Sequence, residues 1–160
     1  MAKNYWLMKT EPDLFSFNDL ISSPGGTDHW DGIRNYQARN FLRDTFQVGD
    51  EAFIYHSRCD VPGIAGIAKV VKGGYPDHTA LNPKSKYFDK KPLKDDEPRW
   101  YMVDVKATHH LKNFASLKDL REHLELSAML LLKRGQRLSI QPVTKDEFSF
   151  IKKFYGTKKL

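Results

Sequence analysis

The stretch Gly63-Ile64-Ala65-Gly66-Ile67-Ala68-Lys69-Val70-Val71 decides the fold, because small and β-branched residues fill nearly all of it. This composition is typical of a buried strand, and Pro62-Gly63 places a turn before it. Gly66 weakens the interior of a strand, so we expect a β-bulge there or a chain segment packed closely against its backbone. The sequence therefore predicts a strand at 63–71.

Working outward, further strands are predicted on both sides of this one. They lie at 5–9, 51–57, 99–108 and 137–140, and Pro142 is expected to stop the last of them. The polar segment 73–98 contains four prolines and a charge-dense stretch at 90–97. We expect it to cross the surface, with a turn at Tyr75-Pro76-Asp77.

Helix starts are marked by capping residues. Ser16 precedes a short helix with Asp19 at its third position, and Asn35 is the expected cap of a second helix. Ser116 starts a third, and Thr144 opens a terminal helix with a capping box. Short strands mixed with short helices predict an α+β fold, a single domain over residues 1–160 around a small curved or barrel-like sheet.

Composition limits the classes of function. The 160 residues carry a formal net charge of +6, which favours polyanionic partners. Cys59 is the only cysteine, so no internal disulfide forms, and no second Cys/His cluster completes a metal site. No apolar run reaches membrane-spanning length. We expect a cytoplasmic protein with no cofactor, no metal and no membrane partner.

The run Trp30-Asp31-Gly32-Ile33-Arg34-Asn35-Tyr36-Gln37-Ala38-Arg39-Asn40 combines two aromatic residues, two arginines and four amide or carboxylate side chains. Most of these groups are costly to bury, which favours a polar recess lined by aromatic groups. Guanidinium, amide and indole groups together suit a planar, hydrogen-bonding ligand such as a nucleobase. The alternative interpretation is a solvated loop followed by the helix that Asn35 caps.

Several blocks together resemble the EVE domain family, which includes thymocyte nuclear protein. They are Tyr-Trp-Leu-Met-Lys-Thr-Glu-Pro at 5–12, the run at 30–40, Tyr-His-Ser at 55–57, Gly-Ile-Ala-Gly at 63–66, Tyr-Pro-Asp at 75–77 and Arg-Leu-Ser-Ile-Gln-Pro-Val at 137–143. The chain is most similar to the stand-alone bacterial type, because it lacks the long basic tail of eukaryotic members. The resemblance implies a PUA-like fold, a small β-barrel or pseudobarrel flanked by short helices, and binding of a modified base in DNA or RNA.

A modified base must be flipped out of a duplex or met in a single strand, so its pocket needs stacking faces and hydrogen-bonding groups. Trp30, Tyr36 and Tyr55 are the candidate walls. Hydrogen bonds to the base edge are expected from Thr10, Asn35, Ser57 and backbone groups near Gly32, and His56 belongs to the same predicted ligand-binding set. The candidate phosphate contacts are Lys9, Arg34, Arg39 and Arg137.

Two other classes of function remain open. Lys9, Thr10 and Glu11 are the residue types of a hydrolytic site, so the alternative to a non-catalytic module is an amidohydrolase-type enzyme acting on a modified nucleoside. Strand alternation should turn Thr10 away from Lys9 and Glu11, unless Pro12 distorts it. A third class is an interaction module with no preference for modified bases.

Overall fold

The computed structural model describes residues 2–91, 93 and 97–160, and it confirms the predicted α+β class. Part of the charge-dense stretch at 90–97 lies outside the described residues. The strands of the described ranges are β1 (Tyr5–Thr10), β2 (Thr27–Trp30), β3 (Glu51–His56), β4 (Gly63–Pro76), β5 (Tyr101–Ser116), β6 (Ile140–Val143) and β7 (Thr157–Lys159). The α-helices there are α1 (Phe17–Ser22), α2 (Tyr36–Asn40), α3 (Leu117–Leu120) and α4 (Lys145–Tyr155).

All the described strands belong to one sheet. Its order is β2-β5-β4-β3-β1-β6, and β7 pairs separately with β5. β1 and β3 are parallel, whereas the other pairs are antiparallel. Within the described residues the sheet is not closed into a barrel, because its end strands β2 and β6 do not pair with each other.

Hydrophobic residues cover the sheet on both faces. Trp6 and Met8 of β1 join a core cluster with Phe17 and Leu20 of α1, whereas Leu7 joins a second cluster with residues of α3 and α4. Three consecutive residues of β1 are therefore buried, as expected of a strand that is covered on both sides.

The predicted capping residues form the expected bonds. Ser16 and Asp19 make a capping box at α1, and Thr144 and Glu147 make another at α4. The Asn35 side chain accepts a hydrogen bond from the Ala38 N–H at the start of α2. These helix starts were predictable because capping depends on residues only three positions apart.

Several strand predictions differ from the structure, and of the predicted strand at 137–140 only Ile140 belongs to a strand. The sequence did not predict β2. It placed a turn at Tyr75-Pro76-Asp77, but β4 continues to Pro76, so the first two of these residues belong to a strand. Pro142 lies inside β6 and does not stop it. β6 is an end strand of the sheet, where a residue without an N–H is tolerated.

The fold brings one set of loops to the same edge of the sheet. Because β1 and β3 are parallel, both end at this edge, and the antiparallel β6 begins there. The Lys9 N–H donates to the Ser139 carbonyl, and the Ser57 N–H donates to the Thr10 carbonyl. The chain after β1, the turn after β3 and residues before β6 are thus held beside one another.

Gly66→Ala is expected to destabilise the fold by about 1–3 kcal/mol, because its added methyl would overlap the Phe17 ring and the His109 carbonyl oxygen. The register of β4 also shifts at Gly66, as the sequence predicted. Gly73→Ala is the matched control on β4, since a methyl there meets no atom within 4 Å. Urea unfolding measures both variants, and equal stabilities would contradict the proposed overlap.

Candidate functional site

A cleft of about 910 Å³ opens at the sheet edge where β1 and β3 end. Five of the predicted site residues line it: Lys9, Thr10, Trp30, Ser57 and Arg137. The other lining residues come from β2, from the loops after β1, β2 and β3, and from two later segments. They are Glu11, Leu14, Phe15, Asp28, His29, Asp31, Gly32, Ile33, Arg58, Lys86, Tyr87, Gln136 and Ser139.

Three aromatic residues contribute to the cleft wall. Trp30, the last residue of β2, is only 6% exposed and belongs to the core, yet part of it lines the cleft. The Phe15 ring meets the Trp30 ring edge to face, with centroids 6.1 Å apart. Tyr87 supplies the third ring from a surface segment. Aromatic side chains of this kind can hold a planar ligand.

The indole N–H of Trp30 has no hydrogen-bond partner among the described residues and is not fully buried. Every fully buried side-chain nitrogen or oxygen of the described residues has a hydrogen-bond partner, so a nitrogen without one is in contact with solvent. The Trp30 N–H is therefore accessible, and the cleft is the open space that Trp30 lines. It is available to a ligand acceptor.

The loop after β2 is locked by a buried carboxylate. Asp77 accepts hydrogen bonds from the Gly32 N–H and from Arg34 Nη1, each at 3.0 Å. Arg34 also donates to the Tyr87 carbonyl through Nε and Nη2. Gly32 has φ +76°, and a Cβ there would lie 2.5 Å from the Tyr87 ring. Arg34 therefore ties two cleft segments together.

Lys9 presents a cation to the cleft. Lys9 forms no ion pair with Glu11 or with another described carboxylate, and the Lys9 ammonium lies 5.9 Å from the centre of the Tyr55 ring. Burial lowers the pKa of Lys9. A partly desolvated ammonium without a carboxylate partner is a strong hydrogen-bond donor for a ligand.

Acidic side chains line another part of the cleft. His29 lies between two carboxylates, with Nδ1 3.4 Å from Asp28 and Nε2 3.6 Å from Asp31. Burial raises the pKa of Asp31, and the charges of Asp77 and Asp28 add to this, whereas His29 opposes it. These carboxylates can accept hydrogen bonds from an amino group of a ligand.

Exposed cations also belong to the cleft lining. Arg58, Lys86 and Arg137 are exposed, and none forms an ion pair with another described residue. Arg58 has φ +52°, an uncommon conformation for a residue with a side chain. Cations beside an aromatic recess are suited to phosphate contacts.

The contacts of Thr10 bear on the hydrolytic alternative. Lys9, Thr10 and Glu11 all line the cleft, because the chain leaves the strand pattern at this point. The Thr10 hydroxyl donates to the Phe15 carbonyl at 2.7 Å. In the described part of the chain, neither Lys9 nor Glu11 makes a hydrogen bond with the Thr10 side chain, so no activated nucleophile is assembled.

Three predicted ligand-binding residues have contacts inside the protein. Tyr55 is only 3% exposed and packs in the second core cluster. His56 Nε2 accepts a hydrogen bond from the Phe17 N–H at 3.0 Å, and burial lowers the pKa of His56. Asn35 caps α2 through its side-chain oxygen. None of the three lines the cleft.

Arg34, Tyr36 and Arg39 lie on a neighbouring surface. The Tyr36 ring stacks on Trp100 with centroids 5.0 Å apart, and the Arg39 guanidinium lies 4.9 Å from the Tyr36 ring centre. Arg39 also donates to the Arg99 carbonyl at 2.9 Å. The structure thus separates the residues of the run 30–40, with Trp30 at the cleft and Tyr36 outside it.

Sequence reasoning missed Phe15, Tyr87 and the Asp28–Asp31 carboxylates. The available signal for Tyr87 was an aromatic residue within the polar segment 73–98. Asp28 and His29 belong to the unpredicted strand β2. Their place at the cleft depends on the pairing of β2 with β5, which local patterns do not reveal.

Neither a metal-binding cluster nor a membrane-spanning helix occurs within residues 2–91, 93 and 97–160. Among them, no group of three or more His, Cys, Asp or Glu side chains is arranged to hold a metal ion. None of their helices has the length and apolar character needed to cross a membrane.

Comparison with known proteins identifies similar chains. A family model described as the EVE domain matches residues 4–154. Thymocyte nuclear protein 1 of Mus musculus is 46% identical over 165 residues, which cover 92% of this chain and 72% of the mouse protein. A solved Pseudomonas syringae protein is 48% identical with a TM-score of 0.85, covering 92% of this chain and 96% of that one. Human THYN1 protein, solved in complex with 5-methylcytosine containing DNA, is 44% identical with a TM-score of 0.85, covering 93% and 95%.

Proposed function

Because this chain belongs to the EVE domain family, we propose that its cleft binds nucleic acid and recognises one modified base. The observation that carries this proposal is the accessible Trp30 indole in a cleft lined by aromatic residues. The same lining includes cations that form no ion pair with another described residue. The DNA complex of the similar human protein supports the choice of ligand. The polymer is DNA or RNA, and the binding is non-catalytic.

The base would enter the cleft from a single strand or after flipping from a duplex. Its ring would contact Trp30, Phe15 and Tyr87, and an exocyclic amino group would donate to the carboxylates of Asp28 or Asp31. Lys9 would donate to a base oxygen or nitrogen. A cleft of this size lies within the range of small-molecule sites, so it accommodates a base and its sugar.

The lining cations would contact the strand outside the base. Arg58, Lys86 and Arg137 are exposed and lie with the base-binding groups around one cleft. Contacts with phosphates make the affinity fall as salt rises, whereas contacts with the base set the preference for a modification. The two contributions can therefore be measured separately.

The test compares oligonucleotides that differ by one methyl group. We expect a single strand with 5-methylcytosine or N6-methyladenine to bind about fourfold more tightly than its unmodified counterpart, since burying one methyl contributes about 0.8 kcal/mol. Fluorescence anisotropy at several salt concentrations measures the dissociation constants. If each modified strand bound with the same affinity as its unmodified counterpart, the proposal would be overturned.

The same samples test the hydrolytic alternative. Chromatography of modified nucleosides after incubation with the protein detects turnover. Release of the modifying group by wild-type protein, but not by Thr10→Ala, would replace the non-catalytic proposal with an enzymatic one. We expect the nucleosides to be recovered unchanged, because the Thr10 hydroxyl donates a hydrogen bond to the Phe15 carbonyl and has no activating partner among the described residues.

A further inference from the structure

A second groove of about 410 Å³ lies beside the cleft. Its lining includes Tyr36, Lys86, Tyr87, Phe88 and Lys91. Lys86 and Tyr87 line the cleft as well, so the two cavities share a wall. A chain that leaves the cleft over Lys86 and Tyr87 therefore enters the second groove directly.

Aromatic surface is exposed in this groove. Tyr36 is 52% exposed and Phe88 is 37% exposed, although both are large hydrophobic side chains. Trp100 lies under Tyr36 and supports it, with the two rings inclined by only 26°. Exposed rings on a fixed base are suited to stacking with unpaired nucleobases.

The charge of the groove is also suited to a nucleic-acid strand. Lys86 and Lys91 are exposed, and neither forms an ion pair within the described residues. Asp89 is the carboxylate among the described lining residues, and it accepts hydrogen bonds from Arg99 Nη1 and the Trp100 indole N–H, each at 2.6 Å. Its charge is therefore compensated from within the protein.

We propose that the second groove binds nucleotides beyond the immediate neighbours of the base held in the cleft, so that a single strand crosses both cavities. This inference rests on the function proposed above. Tyr36 and Phe88 stack with the bases, and Lys86 and Lys91 contact the phosphates. Single-stranded nucleic acid combines planar groups with regular negative charge, which matches this lining better than an apolar or acidic peptide.

The experiment lengthens the ligand on one side at a time. The probes are a trinucleotide with central 5-methylcytosine and the same trinucleotide with about four more nucleotides on its 5′ or 3′ side. We expect one extension to strengthen binding at least about fivefold, because each stacked base contributes roughly 1–3 kcal/mol. Tyr36→Ala and Lys91→Gln should each lose most of this gain while binding the trinucleotide as wild type does.

Lys153→Gln is the matched control, because it removes an equal charge from an exposed position on α4. Lys153→Gln should keep the full gain in affinity on extension. Lys91→Gln should also reduce the slope of log affinity against log salt concentration by about 0.7. Thermal unfolding confirms that each variant is folded, and Phe88→Ala provides a second aromatic variant. No gain from either extension, or the same gain in every variant, would overturn the inference.

The two proposals fail in different ways. A gain on extension together with equal affinities for cytosine and 5-methylcytosine probes would overturn recognition of that modified base while supporting the groove. A preference for 5-methylcytosine without any gain on extension would support the cleft and overturn the groove.

Discussion

Asp77→Ala is expected to lower the free energy of unfolding by about 3–5 kcal/mol, because it removes one partner of a buried ion pair. The Asp77 side chain is fully buried and accepts hydrogen bonds from Gly32, Arg34 and Thr79. Alanine leaves the Gly32 N–H and the Arg34 guanidinium without this acceptor. Urea unfolding followed by tryptophan fluorescence measures the loss.

Acid should reduce the difference between wild type and Asp77→Ala. Burial raises the pKa of Asp77, but the hydrogen bonds from Thr79, Gly32 and Arg34 outweigh it and hold the pKa below its usual value. The carboxylate therefore stabilises the fold fully above about pH 4, and this contribution disappears as pH falls through the folded-state pKa. Unfolding curves at several pH values test the sign.

Asp44→Ala is the control for Asp77→Ala. Asp44 is exposed and pairs only with its neighbour Arg43, so its loss should change stability little. Asp77→Asn keeps the volume and one acceptor oxygen, and it should fall between wild type and Asp77→Ala. If Asp77→Ala unfolds at the same urea concentration as Asp44→Ala, the carboxylate does not lock this loop.

Trp30→Ala is expected to weaken binding of the preferred modified oligonucleotide by roughly 5- to 150-fold, which corresponds to the loss of one stacking contact. Trp30→Phe keeps an aromatic ring but lacks the indole N–H, so it should lose less. Trp30 also belongs to the core, and alanine there costs about 3–5 kcal/mol of stability. Anisotropy titration is therefore combined with circular dichroism, which measures the folded fraction.

Trp6→Phe separates loss of binding from loosening of the core. Trp6 lies in the same core cluster as Trp30, but its indole N–H donates to Asp50 and it does not line the cleft. Trp6→Phe should destabilise the protein and leave the affinity of the folded fraction unchanged. Folded Trp30→Ala and Trp30→Phe proteins that bind as wild type would remove Trp30 from the site.

The sequence predicted features that depend on near neighbours. The capping boxes at Ser16 and Thr144 were predicted because their partners lie three residues away. The cleft required contacts between distant segments, such as Gly32 with Asp77 and Phe17 with His56. Tyr55 and Tyr36 have the same residue type, and only tertiary packing places one in the core and the other at the surface.

The structure divides residues of the predicted pocket between two surfaces. Trp30, Lys9 and Ser57 line one cleft, whereas Arg34 is occupied by Asp77 and Tyr87. A guanidinium can contact phosphate or stabilise a loop, and the sequence does not distinguish these uses. The acceptor that decides between them, Asp77, lies 43 positions away.

The cleft has walls of two different kinds. Lys9, Thr10 and Ser139 belong to strands or strand ends of the sheet, whereas Lys86 and Tyr87 come from the connection between β4 and β5, whose described residues form no strand. Insertions or substitutions in that connection can widen or narrow the opening while every strand pairing is preserved. Such changes would alter the size of the ligand that the cleft admits without any change in the sheet.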